Sequence, residues 1–403
     1  MDRSWPVEKL GRTARIGNGS TPRRDSTIYW DSGAVPWLNS SVVNESRVTR
    51  AEQFVTAAAL RECHLPVVAP GSVLVGLTGQ GKTRGMATIL DIEATLNQHV
   101  AYVTPDPSRW VPDYLLWSLR AAYDELRYLS EENGSTKGGL TCEALKQFRL
   151  TVPPLMYQRA VVDYLDRETV RIDTLIEEQQ RLIELLHERR EAVTGAAFLN
   201  AQAQQPLKRV VRDVTVGIVV QPSRWYVDDG VPALRGLNIS RGSVSARDLV
   251  YISAEGDEAN PKSRLNAGDV VVVRTGQAGA AAKIPKSLDG ANAIDILIVR
   301  PGAGIDADFL VWYLNSPVAA SRINEGSVGA IQGHFNVGAL RELPLPIFSL
   351  NLQRRIAVDL DTKVAAIDTL IGETRRFIEL SRERRGALIS AAVTGEIDVR
   401  GAA

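Results

Sequence analysis

Between about Met156 and Phe198, apolar side chains return every three or four residues: Val161, Leu165, Ile172, Leu175, Ile176, Leu182, Ile183, Leu186 and Val193. Leu165, Ile172, Leu186 and Val193 fall on a seven-residue grid with Gln179 in its middle slot, the spacing of a coiled-coil seam. A second segment repeats the pattern with Ile356, Leu360, Val364, Ile367, Leu370, Ile371, Phe377, Ile378 and Leu388. Neither stretch contains an internal proline, so each predicts one helix of roughly 40 residues, about 60 Å at 1.5 Å per residue. A helix with one apolar stripe needs a partner face in water. Two helices with the same stripe supply that face to each other. Elsewhere the pattern changes to short β-rich runs such as "DVVVVR" (Asp269–Arg274) and "IDILIVR" (Ile294–Arg300), set between Gly, Asn, Ser and Pro turns.

The helical match belongs to a longer repeat. Glu143–Val193 aligns with Gly338–Leu388 without a gap, placing Gln158-Arg159 on Gln353-Arg354 at an offset of 195 (353 minus 158). "IDTLI" is identical at Ile172–Ile176 and Ile367–Ile371, and "ERR" recurs at Glu188–Arg190 and Glu383–Arg385. Weaker echoes fill the rest: "PGSVLVGLTGQGK" answers to "AGDVVVVRTGQAG", "VPWLN" to "VPALR", "PDYLLWSL" to "ADFLVWYL", and "ENGSTKGGLT" to "NEGSVGAIQGHFN". A chain that runs domain, helix, domain, helix places its helices antiparallel most simply. The expected fold class is α+β: two pseudo-symmetric mixed α/β domains separated by two long antiparallel helices that form a coiled-coil-like rod. The expected boundaries are 1–154 and 201–348 for the domains, with 155–200 and 349–403 for the helices, the latter including a C-terminal tail.

"GLTGQGKT" (Gly76–Thr83) matches the phosphate-cradling pattern G-x-x-x-x-G-K-[ST] and comes after the apolar run Val73–Val75. The repeat decides against that reading. Its counterpart "VRTGQAGA" (Val273–Ala280) keeps Thr-Gly-Gln but lacks the lysine and the metal-binding hydroxyl. A phosphate loop also needs a helix directly after it, so that amides and the helix dipole face the anion. Here the next residues are "RGMATILDIEATLN", which read as the return strand of a hairpin. The better prediction is a glycine-bearing turn between two strands, present in both halves.

Composition narrows the classes further. The 403 residues are 44% hydrophobic and 23% charged, as in soluble globular proteins, and no apolar run is long enough for a membrane span. The opening "MDRSWPVEKL" has no signal-peptide core, and Cys63 and Cys142 form no C-x-x-C pair, so reduced thiols and a cytoplasmic location are expected. Lys plus Arg equals Asp plus Glu at 47 each. That balance excludes a protein that coats DNA by bulk charge, while leaving room for a reader whose cations sit on particular loops.

The residues Pro154, Leu155, Gln158, Leu165, Asp166, Ile172, Asp173 and Leu175, answered by Gln353, Arg354, Ile356, Leu360, Asp361, Ile367, Asp368 and Leu370, make a specific combination. With the tail "RGALISAAVTGEIDV" (Arg385–Val399), the chain resembles the specificity subunit of type I restriction–modification systems over nearly its whole length. The resemblance implies that each variable domain is a target-recognition domain reading one half of a bipartite sequence in double-stranded DNA. It further implies that the rod sets the spacing, that two methyltransferase (modification) subunits dock on equivalent surfaces, and that motor-nuclease (restriction) subunits can then join. The subunit itself is then no enzyme and carries no cofactor or metal. The residues agree. The one Pro-Pro, in "VPPL" (Val152–Leu155), lacks the polar and aromatic flanks of an amino-methyltransferase site, and no carboxylate cluster has nuclease spacing. His64 and His99 lie among apolar neighbours and His187 lies on the rod, which predicts structural roles.

Bases are read by side chains at their edges, while phosphate contacts fix position. Polar and basic loops are therefore the candidate contacts. In the first domain they are Ser20, Thr21, Arg23 and Arg24; Gln80, Lys82, Thr83 and Arg84; and Asn133, Ser135, Thr136 and Lys137. In the second they are Gln221, Ser223, Arg224 and Tyr226; Arg235 and Asn238; Arg274 and Gln277; and Gln332 and His334. Any one of these reads equally well as a solvated turn; their recurrence at matching places in both halves carries them as a set. Two other classes compete: a nucleotide-binding enzyme resting on "GLTGQGKT" alone, and a coiled-coil scaffold whose domains never touch DNA.

Overall fold

Both periodic segments fold as single α-helices of 45 residues, Leu155–Leu199 and Leu350–Thr394, in a computed structural model that describes residues 5–79, 81–132, 139–199, 201, 203–325 and 335–399 (backbone only at 132, 324 and 325). The chain divides into two units. One is Met1–Glu178 with Phe377–Ala403; the other is the continuous stretch Gln179–Arg376. Each unit holds a mixed α/β domain and a stretch of both long helices, which meets the α+β expectation.

Within each unit the helix segments run antiparallel. In the first, Ile172 and Ile176 are buried, and Val161 and Leu165 share a core with Ile389, Ala392 and Val393. In the second, Ile183 and Leu186 pack on Ile367 and Ile371, while Val193 and Phe198 share a core with Ile356, Ala357 and Leu360. The seam positions step 165, 169, 172, 176, 179, 183, 186, 190, 193, alternating four and three residues, a strict two-position heptad stripe. The sequence expectation was too wide here. Leu175, Leu182, Leu370 and Phe377 are 44%, 39%, 49% and 45% exposed, because a two-helix seam is narrower than the stripe that periodicity alone selects.

Polar groups in the seam fix its register. Arg385 pairs with Asp173 at 2.8 Å in the first unit, and Arg190 pairs with Asp368 at 3.2 Å in the second. These are the same pair under the 195-residue offset, drawn from the repeated "IDTLI" and "ERR" motifs. A charge at a seam position costs some stability and disfavours slipped alignments, since each slip would leave it without its carboxylate.

The first domain centres on a sheet in the order Ala14–Asn18, Val100–Pro105, Val73–Gly76, Ala87–Leu90, Arg47–Val48. The second has the counterpart Val211–Val216, Ile296–Pro301, Val270–Val273, Ala281–Lys283. The middle strands are buried on both faces, which is why "VLVG" and "VVVV" read as unbroken apolar runs. Beside each lies a smaller sheet: Gln53–Val55, Val35–Leu38, Thr95–Leu96 in the first, and Tyr226–Val227, Val250–Ile252, Val231–Leu234, Asn292–Ala293 in the second. A helix covers each main sheet, Pro112–Ala121 and Ala307–Leu314.

The repeated glutamine clamps domain to helix. Gln158 Oε1 accepts from Val111 N at 2.7 Å, and its Nε2 donates to Arg109 O at 2.7 Å and Pro153 O at 2.8 Å. Gln353 repeats all three bonds with Asp306 N, Gly304 O and Phe348 O. Trp117 Nε1 donates to Asp166 at 3.1 Å, and Trp312 Nε1 to Asp361 at 2.8 Å. Partial burial holds the Asp166 carboxyl above its ordinary range, against the lowering effect of the Trp117 bond. The C-terminal tail completes the first unit. Val393, Ile397 and Val399 enter its core or pack on it, Tyr114 Oη donates to Val393 O at 2.9 Å, and Tyr157 Oη donates to Ile397 O at 3.0 Å.

Candidate nucleic-acid interface

The loop after the first main strand is pressed onto the smaller sheet in both domains, and glycine makes this possible. A Cβ on Gly19 would lie 1.7 Å from Leu96 O, and one on Gly217 would lie 2.2 Å from Ala293 O. Two loops of unrelated sequence therefore leave the sheet at the same place.

In the first domain this approach joins several predicted residues. Thr21 Oγ1 donates to Gln98 Oε1 at 2.7 Å, Gln98 Nε2 lies 3.3 Å from His99 Nε2, and Thr78 Oγ1 lies 3.0 Å from His99 Nδ1. The "GSTPRR" loop and the glycine hairpin are thus linked through two residues absent from the sequence-based set, Gln98 and His99. His99 sits in a polar network and not among apolar neighbours, because Gln98-His99 forms the turn entering the strand Val100–Pro105. The "NQH" before that strand was the available signal. Ser20 is more inward: its Oγ donates to Cys63 O at 3.1 Å. Arg23 pairs with Asp25 at 3.0 Å. Arg24 lies over the rings of Trp30 and Trp37, 4.3 and 4.7 Å from their centroids, and donates to Gln53 Oε1 at 2.8 Å.

The phosphate-loop match is a hairpin. Val73–Gly76 pairs antiparallel with Ala87–Leu90, Gly85 N donates back to Gly76 O at 2.8 Å, and no helix begins after the Lys-Thr pair. The nucleotide-binding alternative loses its structural basis, because there are no helix-end amides to face an anion. The helix Tyr123–Glu132 clasps the tip with residues four apart on one face: Tyr123 Oη donates to Lys82 O at 3.0 Å, Arg127 to Gly81 O at 2.6 Å, and Glu131 receives Arg84 at 3.0 Å. Arg84 is 8% exposed and turned into the domain, so its charge holds the hairpin. Lys82 is exposed, and Thr83 is half-buried. Leu140 N donates to Leu77 O at 2.8 Å, and Phe335 N to Arg274 O at 3.3 Å, so Leu140 and Phe335 are fastened to their hairpins at equivalent points. Gln80, Asn133, Ser135, Thr136, Lys137, Gln332 and His334 lie outside the described residues.

In the second domain, Gln221 takes a left-handed φ of 43° just before the turn Pro222–Trp225. Ser223 and Tyr226 are exposed, and Arg224 lies over Trp225, 4.4 Å from the ring centroid. Asn238 is 1% exposed: it accepts from Arg235 N and donates to Arg247 O, a turn-closing role that removes it from any surface. The Arg235 guanidinium donates to Asp248 O at 2.8 Å. Arg274 pairs with Asp295, which occupies the place that Gln98-His99 takes in the first domain. Gln277 is exposed at the tip of the second hairpin.

Among the described residues no group of His, Cys, Asp or Glu is placed to hold a metal ion, and no helix is long and apolar enough to cross a membrane. A family model for the type I restriction modification DNA specificity domain matches residues 3–186. The chain is 21% identical over 177 residues to the EcoR124I/EcoR124II specificity subunit of Escherichia coli, covering 44% of each. It is 21% identical over 362 residues to the EcoBI specificity subunit of Escherichia coli, covering 82% of this chain and 74% of that one. The first alignment thus spans less than half of the relative's length. Two solved structures share the fold over 98% of both chains. One, from work on complex assembly and conformational transition of the type I R-M system, gives a TM-score of 0.78 at 15% identity. The other, the HsdS subunit from Thermoanaerobacter tengcongensis, gives 0.66 at 16% identity.

Proposed function

We propose that this chain, which belongs to the type I restriction–modification DNA specificity family, selects the DNA sequence on which its complex acts and performs no chemistry itself. The observation that carries this reading is the duplicated frame. Gln158 and Gln353, Trp117–Asp166 and Trp312–Asp361, and Asp173–Arg385 and Asp368–Arg190 repeat at one offset, while the loops mounted on them differ in most of their residues. One frame holding two different polar loop sets is what reading two different half-sites in double-stranded DNA requires.

On this reading 1–154 and 201–348 are target-recognition domains, 155–200 and 349–403 are the helical spacers, and the repeat offers matching seats to two methyltransferase subunits. That complex leaves room for motor-nuclease subunits to join, and a DNA substrate fits a cytoplasmic location. The candidate contacts are the loop residues already named, with Arg84 and Asn238 supporting the loops from within.

The test is to co-express the chain with its methyltransferase subunits and map the methylated adenines. A two-part motif with a fixed spacer is expected. Inserting four residues near Gly195 should change the spacer, because one helical turn adds about 5.4 Å against about 3.4 Å per base pair. A single uninterrupted motif, or a spacer indifferent to the insertion, would overturn the reading.

A further inference from the structure

Several candidate cations are already engaged. Arg23 is matched by Asp25, Arg84 by Glu131 and Arg274 by Asp295, while Arg235 donates to the Asp248 carbonyl. Two behave differently. Arg24 and Arg224 are exposed, and no carboxylate pairs with either among the described residues. Both instead lie on tryptophan. Arg24 is 4.3 Å from the Trp30 centroid and 4.7 Å from that of Trp37, and Arg224 is 4.4 Å from Trp225. Every other arginine–aromatic stack among the described residues is longer, from 5.4 to 5.8 Å. The three shortest approaches therefore fall on the loop after the first main strand of each domain, although the two loops do not align residue for residue.

Stacking fixes what charge alone leaves free. A guanidinium held against indole, in the case of Arg24 between two rings that meet at 81°, keeps its full charge and its donors but loses much of its freedom to reorient. For Arg24, the bond to Gln53 Oε1 restrains it further. A phosphate accepts donors from many directions and gains little from such restraint. The O6 and N7 atoms of guanine need two parallel N–H groups in one plane, which is what a held guanidinium presents. Lys82, a point charge on a flexible stem, is the contrasting case.

We propose that Arg24 and Arg224 are the guanine-reading side chains of this protein, one for each half-site. The assignment rests on the DNA-specificity reading above. The experiment uses the complex of the full chain with its methyltransferase subunits, once its motif has been mapped, and competes duplexes in which each half-site base pair is changed in turn. Arg24→Lys should lose discrimination at one G·C pair of one half-site by roughly 5- to 150-fold, the equivalent of about 1–3 kcal/mol. The other half-site should keep its full preference, which also shows that the variant is folded. Arg224→Lys should do the reverse. Unchanged base preference in both variants overturns the proposal. So does a uniform loss on cognate and unrelated DNA with a salt slope shallower by about one, the mark of a phosphate contact. A mapped half-site without any G·C pair overturns it for that domain. Failure of the unsubstituted complex to distinguish its motif from unrelated DNA instead removes the functional reading, and this inference with it.

Discussion

The two halves of this chain differ in an ordered way. The clamp made by Gln158 is reproduced bond for bond by Gln353, down to three equivalent partners. Opposite Arg274 stands a carboxylate, Asp295, where the first domain places the polar pair Gln98 and His99. The Gln158 and Gln353 amides have both oxygen and nitrogen committed, so a single substitution there leaves a deficit. Loop groups can exchange one solvated partner for another. The comparison teaches where sequence change is tolerated: at the loop tips, and not where a domain is fastened to its helix.

The sharpest way to break the comparison is at the clamp. Gln158→Ala removes acceptor and donors together and strands Val111 N–H and two carbonyls. At about 1–3 kcal/mol for each unsatisfied group, the first unit should lose roughly 3–5 kcal/mol, and Gln353→Ala should cost the second unit as much. Two separate melting transitions, each lowered by one variant only, would show this; an unchanged denaturant midpoint would refute it. Next in size is Gly19→Ala, which drives a methyl group against the Leu96 carbonyl. Overpacking of this kind costs about 1–3 kcal/mol, and binding at one half-site should weaken while the other is kept. Equal loss at both would show that the loops are not independent.

Smaller effects sharpen the symmetry. Asp173→Ala and Arg385→Ala, alone and together, should give a coupling of about 0.2–1 kcal/mol, since both groups are partly exposed. The Asp368–Arg190 cycle should return the same value, and a clear mismatch would mean that the repeat is not energetically equivalent. The smallest effect concerns Asp166. Its carboxyl is raised by burial, so the folded state holds the proton more tightly than the unfolded chain does. Its contribution therefore falls as pH rises from the ordinary aspartate range through the raised folded value. Asp166→Asn, which keeps an oxygen for Trp117 Nε1, should remove that slope and slightly raise the melting temperature at neutral pH. A variant with the same pH profile would contradict the assignment.

Much of this frame was legible in the residue order, because buried helices and central strands impose periods that polar groups cannot counterfeit. The helices, the repeat and the hairpin reading of "GLTGQGKT" came from period and self-comparison. The seam came out too wide, since Leu175 and Leu182 share the spacing of Ile172 and Ile176 but not their burial. Loop chemistry was less readable. Arg84 and Asn238 have the composition of contact residues, yet one holds a hairpin through Glu131 and the other closes a turn. A polar side chain in a loop can serve solvent, a ligand or its own backbone, and only the position of its neighbours separates these uses. The Trp30 and Trp37 faces beneath Arg24 belong to a helix and a strand that no periodicity brings together.

The tail that fills the first unit has a consequence for how the chain matures. Ile389, Ala392, Val393 and Val399 belong to the same apolar interior as Leu10 and Val73, and Trp5 lies directly under Gly395, where a methyl group would be 2.2 Å from its ring. During synthesis the amino-terminal domain must therefore wait, with part of its interior unsealed, until Ile389 through Val399 have left the ribosome. The stretch from Gln179 to Arg376 is continuous in the chain and has left the ribosome before that tail. The half encoded second is thus the first that can finish.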